Sequence, residues 1–378
     1  MHSGGAKKKI TSLFSAQDFE FYPRILLKER GALGNVVGRS RPRLVNNLTM
    51  LPLLVIGLLL AFNLQQSEAH IGVCYKTLEK NVPPPTEVVA LLEKHNITRI
   101  RLYEPNHEIL TALKGKNIEV LLGIPNTDII PLTINPAIAA SWVRTNVKAY
   151  FPDVKIKYLV VGNDISPNND NSGFSFFLFS TLQNIQLALS NEGLNDIKLT
   201  SSFDTSILKN PYVDTPSNIS FVAESLMFLE PILKLITSNG APFMVNLYPY
   251  YGHLLNPKGL TLDYALFKAS NGNLFEAMLD SMYSALEKAG YKSIDIVVGE
   301  TGWPSAGGDA ATVENQKVYI TKLLEQVKQS TANKPKKPIE TYLYSVFDED
   351  VKGAPEIEKH FGLFTPNKEL KFEFSGTF

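Results

Sequence analysis

From residue 70 onward, short apolar runs alternate with segments whose apolar residues recur every three or four positions. The runs lie at 70–75 (HIGVCY), 98–103 (TRIRLY), 118–123 (IEVLLG), 157–162 (KYLVVG), 198–203 (KLTSSF), 243–248 (FMVNLY), 294–299 (IDIVVG) and 341–347 (TYLYSVF). Most are almost continuously apolar, as strands covered on both faces are. Between them, 86–95 carries Val88, Leu91 and Leu92 at helical spacing. Segment 273–288 aligns Leu274, Met278, Met282 and Leu286, and 315–327 carries Val318, Leu323 and Leu324. Strand and helix in alternation predict a parallel sheet with crossovers. Eight strands in the 309 residues of 70–378 fit a single (β/α)8 TIM barrel of the α/β class. A doubly wound open sheet is the alternative, disfavoured because no Gly-rich phosphate-binding turn follows a strand.

The first seventy residues break this pattern. Residues 50–62 (MLPLLVIGLLLAF) follow Arg39, Arg41 and Arg43 and precede the polar stretch 65–69 (QQSEA). A basic flank, a short apolar core and a small polar exit predict a signal peptide over 50–69. The run is short for a membrane span of roughly 20 apolar residues, so no stable span is expected. Residues 1–49 are basic and without periodicity, and they read as a disordered extension upstream of Met50. The 378-residue chain has 37 basic and 37 acidic residues, but nine basic and four acidic ones fall in 1–69. The remaining 70–378, the barrel domain, is therefore acidic by about five charges. No basic field for nucleic acid results. The single cysteine, Cys74, excludes an internal disulfide framework and falls in the first apolar run, where a buried inert thiol is expected. The His residues have no metal spacing; His95 reads as a helix C-terminal cap, and neither a metal nor a cofactor is expected. Asn96 and Asn218 head N-x-S/T sequons and are candidate glycosylation sites in a secreted protein.

A barrel carries its chemistry at the C-terminal ends of its strands. The residues there include Tyr75, Tyr103, Glu104, Asn126, Asn163, Asp164, Asp204, Asn246, Tyr248, Glu300, Asp348 and Glu349. Acids, amides and phenols suit sugar hydroxyls and rings better than a metal or a phosphate. Asp164 and Glu300 end the fourth and seventh runs, on opposite sides of an eight-stranded barrel. Glycoside hydrolysis needs such a pair, one carboxyl as general acid and the other as nucleophile or base. Capping or solvated loop acids are the alternative reading of each.

The strings IGVCY, RLYEPN, YLVVGNDISP, VNLYPYY, VVGETGWPSAGG and ETYLYSVFDED, followed by EKHFGLF, occur in this order across nearly all of 70–378. Together they resemble plant endo-β-1,3-glucanases of glycoside hydrolase family 17. The resemblance implies a secreted, monomeric (β/α)8 enzyme that cleaves internal β-1,3-glucosyl bonds with retention, on callose or fungal wall glucan. It implies export to the cell wall, with the vacuole as the lesser alternative. By position, Glu300 is the nucleophile, although the serines that flank it in the family are Gly299 and Thr301 here. The acid/base falls on Asp164, where the family has Glu, one methylene or about 1.5 Å longer. The resemblance assigns substrate contacts to Tyr103, Asn163, Asn246, Tyr248 and Trp303, and a charged network beside the cleft to Glu349, Lys352 and Glu358. Lys76 stands where the family has Gly, and Asp350 and Val351 alter the loop after Glu349. The shortened acid leads to three expectations: a slowed hydrolase, a catalytically silent glucan-binding protein, or a transglycosylase.

Overall fold

A computed structural model describes residues 71–76, 82–212, 218–328, 337–349 and 353–373. The expected extension at 1–49, the signal peptide at 50–69 and Lys352 lie outside the described residues. The strands are β1 Ile71–Tyr75, β2 Arg99–Leu102, β3 Glu119–Ile124, β4 Lys155–Val161, β5a Lys198–Thr200, β5b Ser202–Phe203, β6 Phe243–Asn246, β7 Ile296–Thr301 and β8 Thr341–Leu343. The helices are α1 Pro85–Lys94, α2 His107–Ala112, α3 Asn126–Ile134, α4 Pro136–Val143, α5 Ser172–Asn191, α6 Ala223–Asn239, α7 Pro249–Leu255, α8 Leu262–Ala265, α9 Leu274–Lys288 and α10 Val313–Gln326. All strand pairings are parallel, and their order runs β5a-β4-β3-β2-β1-β8-β7-β6-β5b.

The two ends of that order are halves of one chain segment. β5a pairs with β4 and β5b pairs with β6, and only Ser201 separates them. The hydroxyl of Ser201 donates to the Val161 carbonyl at 2.7 Å, so the gap in the ladder is bridged by a side chain. The sheet thus curls into a nearly closed (β/α)8 barrel. Each apolar run of the sequence overlaps one strand, with the fifth divided in two. The eighth is shorter than expected, because the chain leaves the ladder after Leu343.

Strand parity separates the core into two layers, since successive side chains point to opposite faces. Val73, Ile100, Leu102, Val120, Leu122, Leu159, Val161, Phe243, Val245, Ile296, Val298 and Leu343 face the helices. Cys74, Leu121, Tyr158, Val160, Met244, Val297, Tyr342 and Tyr344 fill the lumen. Helix ends are fixed by short polar side chains: Asn106, Thr312 and Asn273 accept from backbone N–H groups in the first turns of α2, α10 and α9. His95 occupies the C-cap of α1. No described helix is long and apolar enough to cross a membrane.

Candidate active site

Parity alone would turn Glu300 away from the lumen, because Ile296 and Val298 on the same strand face the helices. The register between β6 and β7 shifts at Val245/Asn246, so that Asn246 pairs with Glu300. A second shift lies between Val298 and Thr301 in the β7–β8 ladder. Such bulges re-aim side chains at barrel rims. Here they bring Glu300 into the cleft, while Thr301 points outward to share a hydrogen bond with the Tyr319 hydroxyl of α10 at 2.6 Å.

Glu300 is 5% exposed. Tyr103 donates to its Oε1 at 2.8 Å, and Tyr248 donates to its Oε2 at 2.7 Å. The Arg101 guanidinium stands 3.3 Å from Oε1. Arg101 is itself buried and also donates to Asn246 Oδ1 at 3.1 Å and Asn163 Oδ1 at 2.5 Å. An ion pair buried with a full set of hydrogen bonds is rigid, and removing either partner is costly. Gly299 makes room for it: a Cβ there would lie 2.6 Å from Arg101 Nη1. Burial raises the hydroxyls of Tyr103 and Tyr248 well above their usual range, so both remain neutral donors toward Glu300. Burial likewise pushes the Cys74 thiol up to about 12, and its Sγ rests 3.4 Å from the Gly299 carbonyl oxygen as an unreactive S–H.

Opposite Glu300, the chain leaves β4 through two left-handed residues, Gly162 (φ 72°) and Asp164 (φ 51°). Asn126 clamps the residue between them, accepting from the Asn163 backbone N–H at 2.8 Å and donating to its carbonyl at 3.0 Å. The Asp164 carboxyl accepts from Asn246 Nδ2 at 2.8 Å and from Asn163 Nδ2 at 2.9 Å. The ion pair from Arg101 to Glu300 and the hydrogen bonds from Arg101 to Asn246 and from Asn246 to Asp164 therefore connect the two acids. Burial, then the charges of Glu300 and Asp204, push the Asp164 carboxyl up to about 8. One carboxyl is thus provided with a cation and two phenol donors, and the other is kept protonated near neutral pH.

These residues line a cleft of about 460 Å³. The structure brings Tyr103, Asn163, Asp164, Asn246, Tyr248, Glu300 and Glu358 to its wall. Glu358 accepts from the Tyr251 hydroxyl. Glu349 is buried behind the wall, bonded by Tyr344 at 2.8 Å and by Lys76 at 3.0 Å. Trp303 is a correction: it has no exposed surface and cannot touch a ligand in the cleft. Its Nε1 donates to the Ala310 carbonyl at 2.9 Å, and its ring packs on Tyr250 and Tyr319, beneath the rim rather than in it. Asn96 and Asn218 are both exposed, away from the cleft-lining set.

Sequence reasoning missed Arg101, Tyr251 and Tyr344, and it placed Asp204 on the rim without a role. Arg101 was findable: in TRIRLY, Arg99, Arg101 and Tyr103 recur at period two, so the lumen face that carries Tyr103 must also carry Arg101. Among the described residues no group of His, Cys, Asp and Glu is arranged to hold a metal ion.

The sequence pattern of the glycosyl hydrolases family 17 matches residues 71–375, the whole barrel. The chain belongs to this family. Among relatives of family 17, a glucan endo-1,3-beta-glucosidase B of Solanum lycopersicum is 44% identical over 334 residues, which is 85% of this chain and 92% of that protein. A basic vacuolar glucan endo-1,3-beta-glucosidase of Nicotiana plumbaginifolia is also 44% identical, covering 87% of this chain and 93% of its own length. The solved beta-1,3-glucanase and allergen of Cryptomeria japonica pollen superposes with a TM-score of 0.78 at 36% identity, over 82% of this chain and 99% of that one. As a member of family 17, the protein is a glycoside hydrolase.

Proposed function

We propose that the protein hydrolyses internal β-1,3-glucosidic bonds of β-1,3-glucans such as callose or fungal wall glucan, with retention at the anomeric carbon. The observation that carries this reading is the contrast between the two carboxyls. Glu300 faces a guanidinium and two phenols, whereas Asp164 is buried among other acids and keeps its proton. The relatives at 44% identity are named glucan endo-1,3-beta-glucosidases.

In the first step Glu300 attacks the anomeric carbon, and Asp164 gives its proton to the departing glycosidic oxygen. A covalent glycosyl–Glu300 ester results. Asp164, now anionic, then takes a proton from water as that water displaces Glu300. Arg101 matches the charge on Glu300 before attack and after release. Tyr103 and Tyr248 hold its two oxygens in fixed directions, which is the positional gain that such a displacement requires. Asn163 and Asn246 orient Asp164; both N–H of the Asn246 amide are spent on Asn163 and Asp164, and Asn163 keeps one N–H toward sugar hydroxyls. Export to the cell wall, or to the vacuole, is the location this reading assigns.

A second reading has one observation in its favour. Asp164 is a methylene shorter than the family's Glu, and both its oxygens already accept from amides. A donor that cannot reach would leave a protein that binds glucan without cutting it. Purified protein on a soluble β-1,3-glucan, scored for new reducing ends against Glu300→Gln, separates the readings. Reducing ends above that control support hydrolysis. Their absence with glucan retained in a pull-down supports binding alone, and longer chains indicate transfer to a second sugar.

A further inference from the structure

Asp164 is in a backbone conformation that non-glycine residues rarely adopt, and its side chain is too short for it to reach the substrate from an arbitrary position. Something must hold it there. After Ile165, Ser166 and Pro167, the segment 168–171 reads NNDN. The side-chain amide of Asn169 donates to the Asp164 carbonyl oxygen at 2.7 Å and also to Asp204 Oδ2 at 2.9 Å. Asn171 Nδ2 adds a second bond to the same Asp164 carbonyl at 3.1 Å. Asp204 is pinned on its other side by the Ser206 backbone N–H at 2.9 Å, at the start of a short 3-10 turn, and it lines the cleft. One amide group thus joins the backbone of the proton donor, at the end of β4, to a carboxylate that follows β5b.

Building on the hydrolase reading above, we propose that Asn169 is a positioning residue of the reaction. It fixes Asp164 in its left-handed conformation and holds Asp204 beside it, and Asn171 supports the same carbonyl. The left-handed turn sets where the Asp164 Cβ departs from the backbone, and so recovers part of the reach that the missing methylene would have given. The clamp also determines which charges surround the acid. The charged groups facing Asp164 are Glu300 from β7, Arg101 from β2 and Asp204 from after β5b. Of these, Asp204 is bonded through Asn169 and responds to its removal. Asn169 is not among the residues that line the cleft and bonds Asp164 and Asp204 rather than Glu300, so its effect passes through Asp164.

The test compares wild type with Asn169→Ala, Asn169→Gln, Asp204→Asn and the double variant Asn169→Ala/Asn171→Ala. On a soluble β-1,3-glucan, kcat falls about 10-fold for Asn169→Ala and about 100-fold for the double variant, as expected for misplacement near 1 Å. KM stays within about twofold, and Asn169→Gln recovers part of the loss. A 13C-detected titration of the Asp164 carboxyl shifts its midpoint downward in both Asn169→Ala and Asp204→Asn. That titration needs no turnover. A wild type without reducing-end release therefore refutes the hydrolase reading, while the titration still decides on Asn169. Variants that keep the wild-type kcat and the wild-type midpoint overturn the inference. So does a fall in melting temperature with both quantities unchanged, which would make the clamp structural only.

Discussion

The proton on Asp164 gives the most direct quantitative prediction. Its carboxyl is raised from an ordinary 3.8 to about 8, first by burial and then by the charges of Glu300 and Asp204. At pH 7 an ordinary Asp would be protonated in roughly one molecule per 1,500, whereas a group at about 8 is protonated in roughly 90%. The environment therefore raises the population of competent acid by on the order of 10³. A plot of kcat/KM against pH should fall on its alkaline side with a limb near pH 8. Asp164→Asn removes the limb and lowers kcat by about 10²–10⁴, the usual share of a general acid.

Stability also falls as pH rises. The folded state binds this proton more tightly than the unfolded chain does. The resulting stabilisation is complete below about pH 3.8, shrinks as pH rises, and is gone above about pH 8. Asp164→Asn, which cannot ionise, should therefore raise the melting temperature relative to wild type more at pH 8 than at pH 4. An alkaline limb near pH 4, or activity level to pH 10, would refute the reasoning. So would a melting difference that does not grow with pH.

Three further substitutions examine other parts of the site. Arg101→Met strands Glu300 in the lumen without its cation; it should cost about 3–5 kcal/mol in urea denaturation and reduce turnover by more than about 10²-fold. Trp303→Phe removes the bond to the Ala310 carbonyl and part of the packing on Tyr250; about 1–3 kcal/mol of stability should be lost while KM is unchanged, and a large rise in KM would place Trp303 against substrate after all. Asp164→Glu restores about 1.5 Å of reach and should raise kcat on soluble β-1,3-glucan by about 10-fold or more; a fall would show that the left-handed turn already positions the shorter acid.

Which parts of this molecule the sequence displays follows from its physics. Strand positions were legible because burial on both faces demands unbroken apolar runs, and β1 through β4 lie within a few residues of theirs. The break at Ser201 was not, because a Thr-Ser-Ser-Phe stretch reads equally well as continuous strand; the division shows in the pairing of β5a with β4 and of β5b with β6. Asp164 and Glu300 were legible as acids ending strands. That Glu300 faces inward was not, since it depends on bulges set by the neighbouring strands' register. Trp303 shows the opposite failure. Its place next to the nucleophile in sequence suggested contact with substrate, but the turn after β7 carries it under the rim into the Tyr250–Tyr319 layer. The Asn169–Asp204 link joins residues 35 positions apart through one amide, and nothing in a linear pattern marks such a pair.

The central claim is a double displacement through Glu300 with Asp164 as proton donor. It is tested most directly by 1H NMR of the first product released from a soluble β-1,3-glucan, before mutarotation. The account predicts β-configured reducing ends from wild type and none from Glu300→Gln. Release of the α anomer, or continued release by Glu300→Gln, would contradict it.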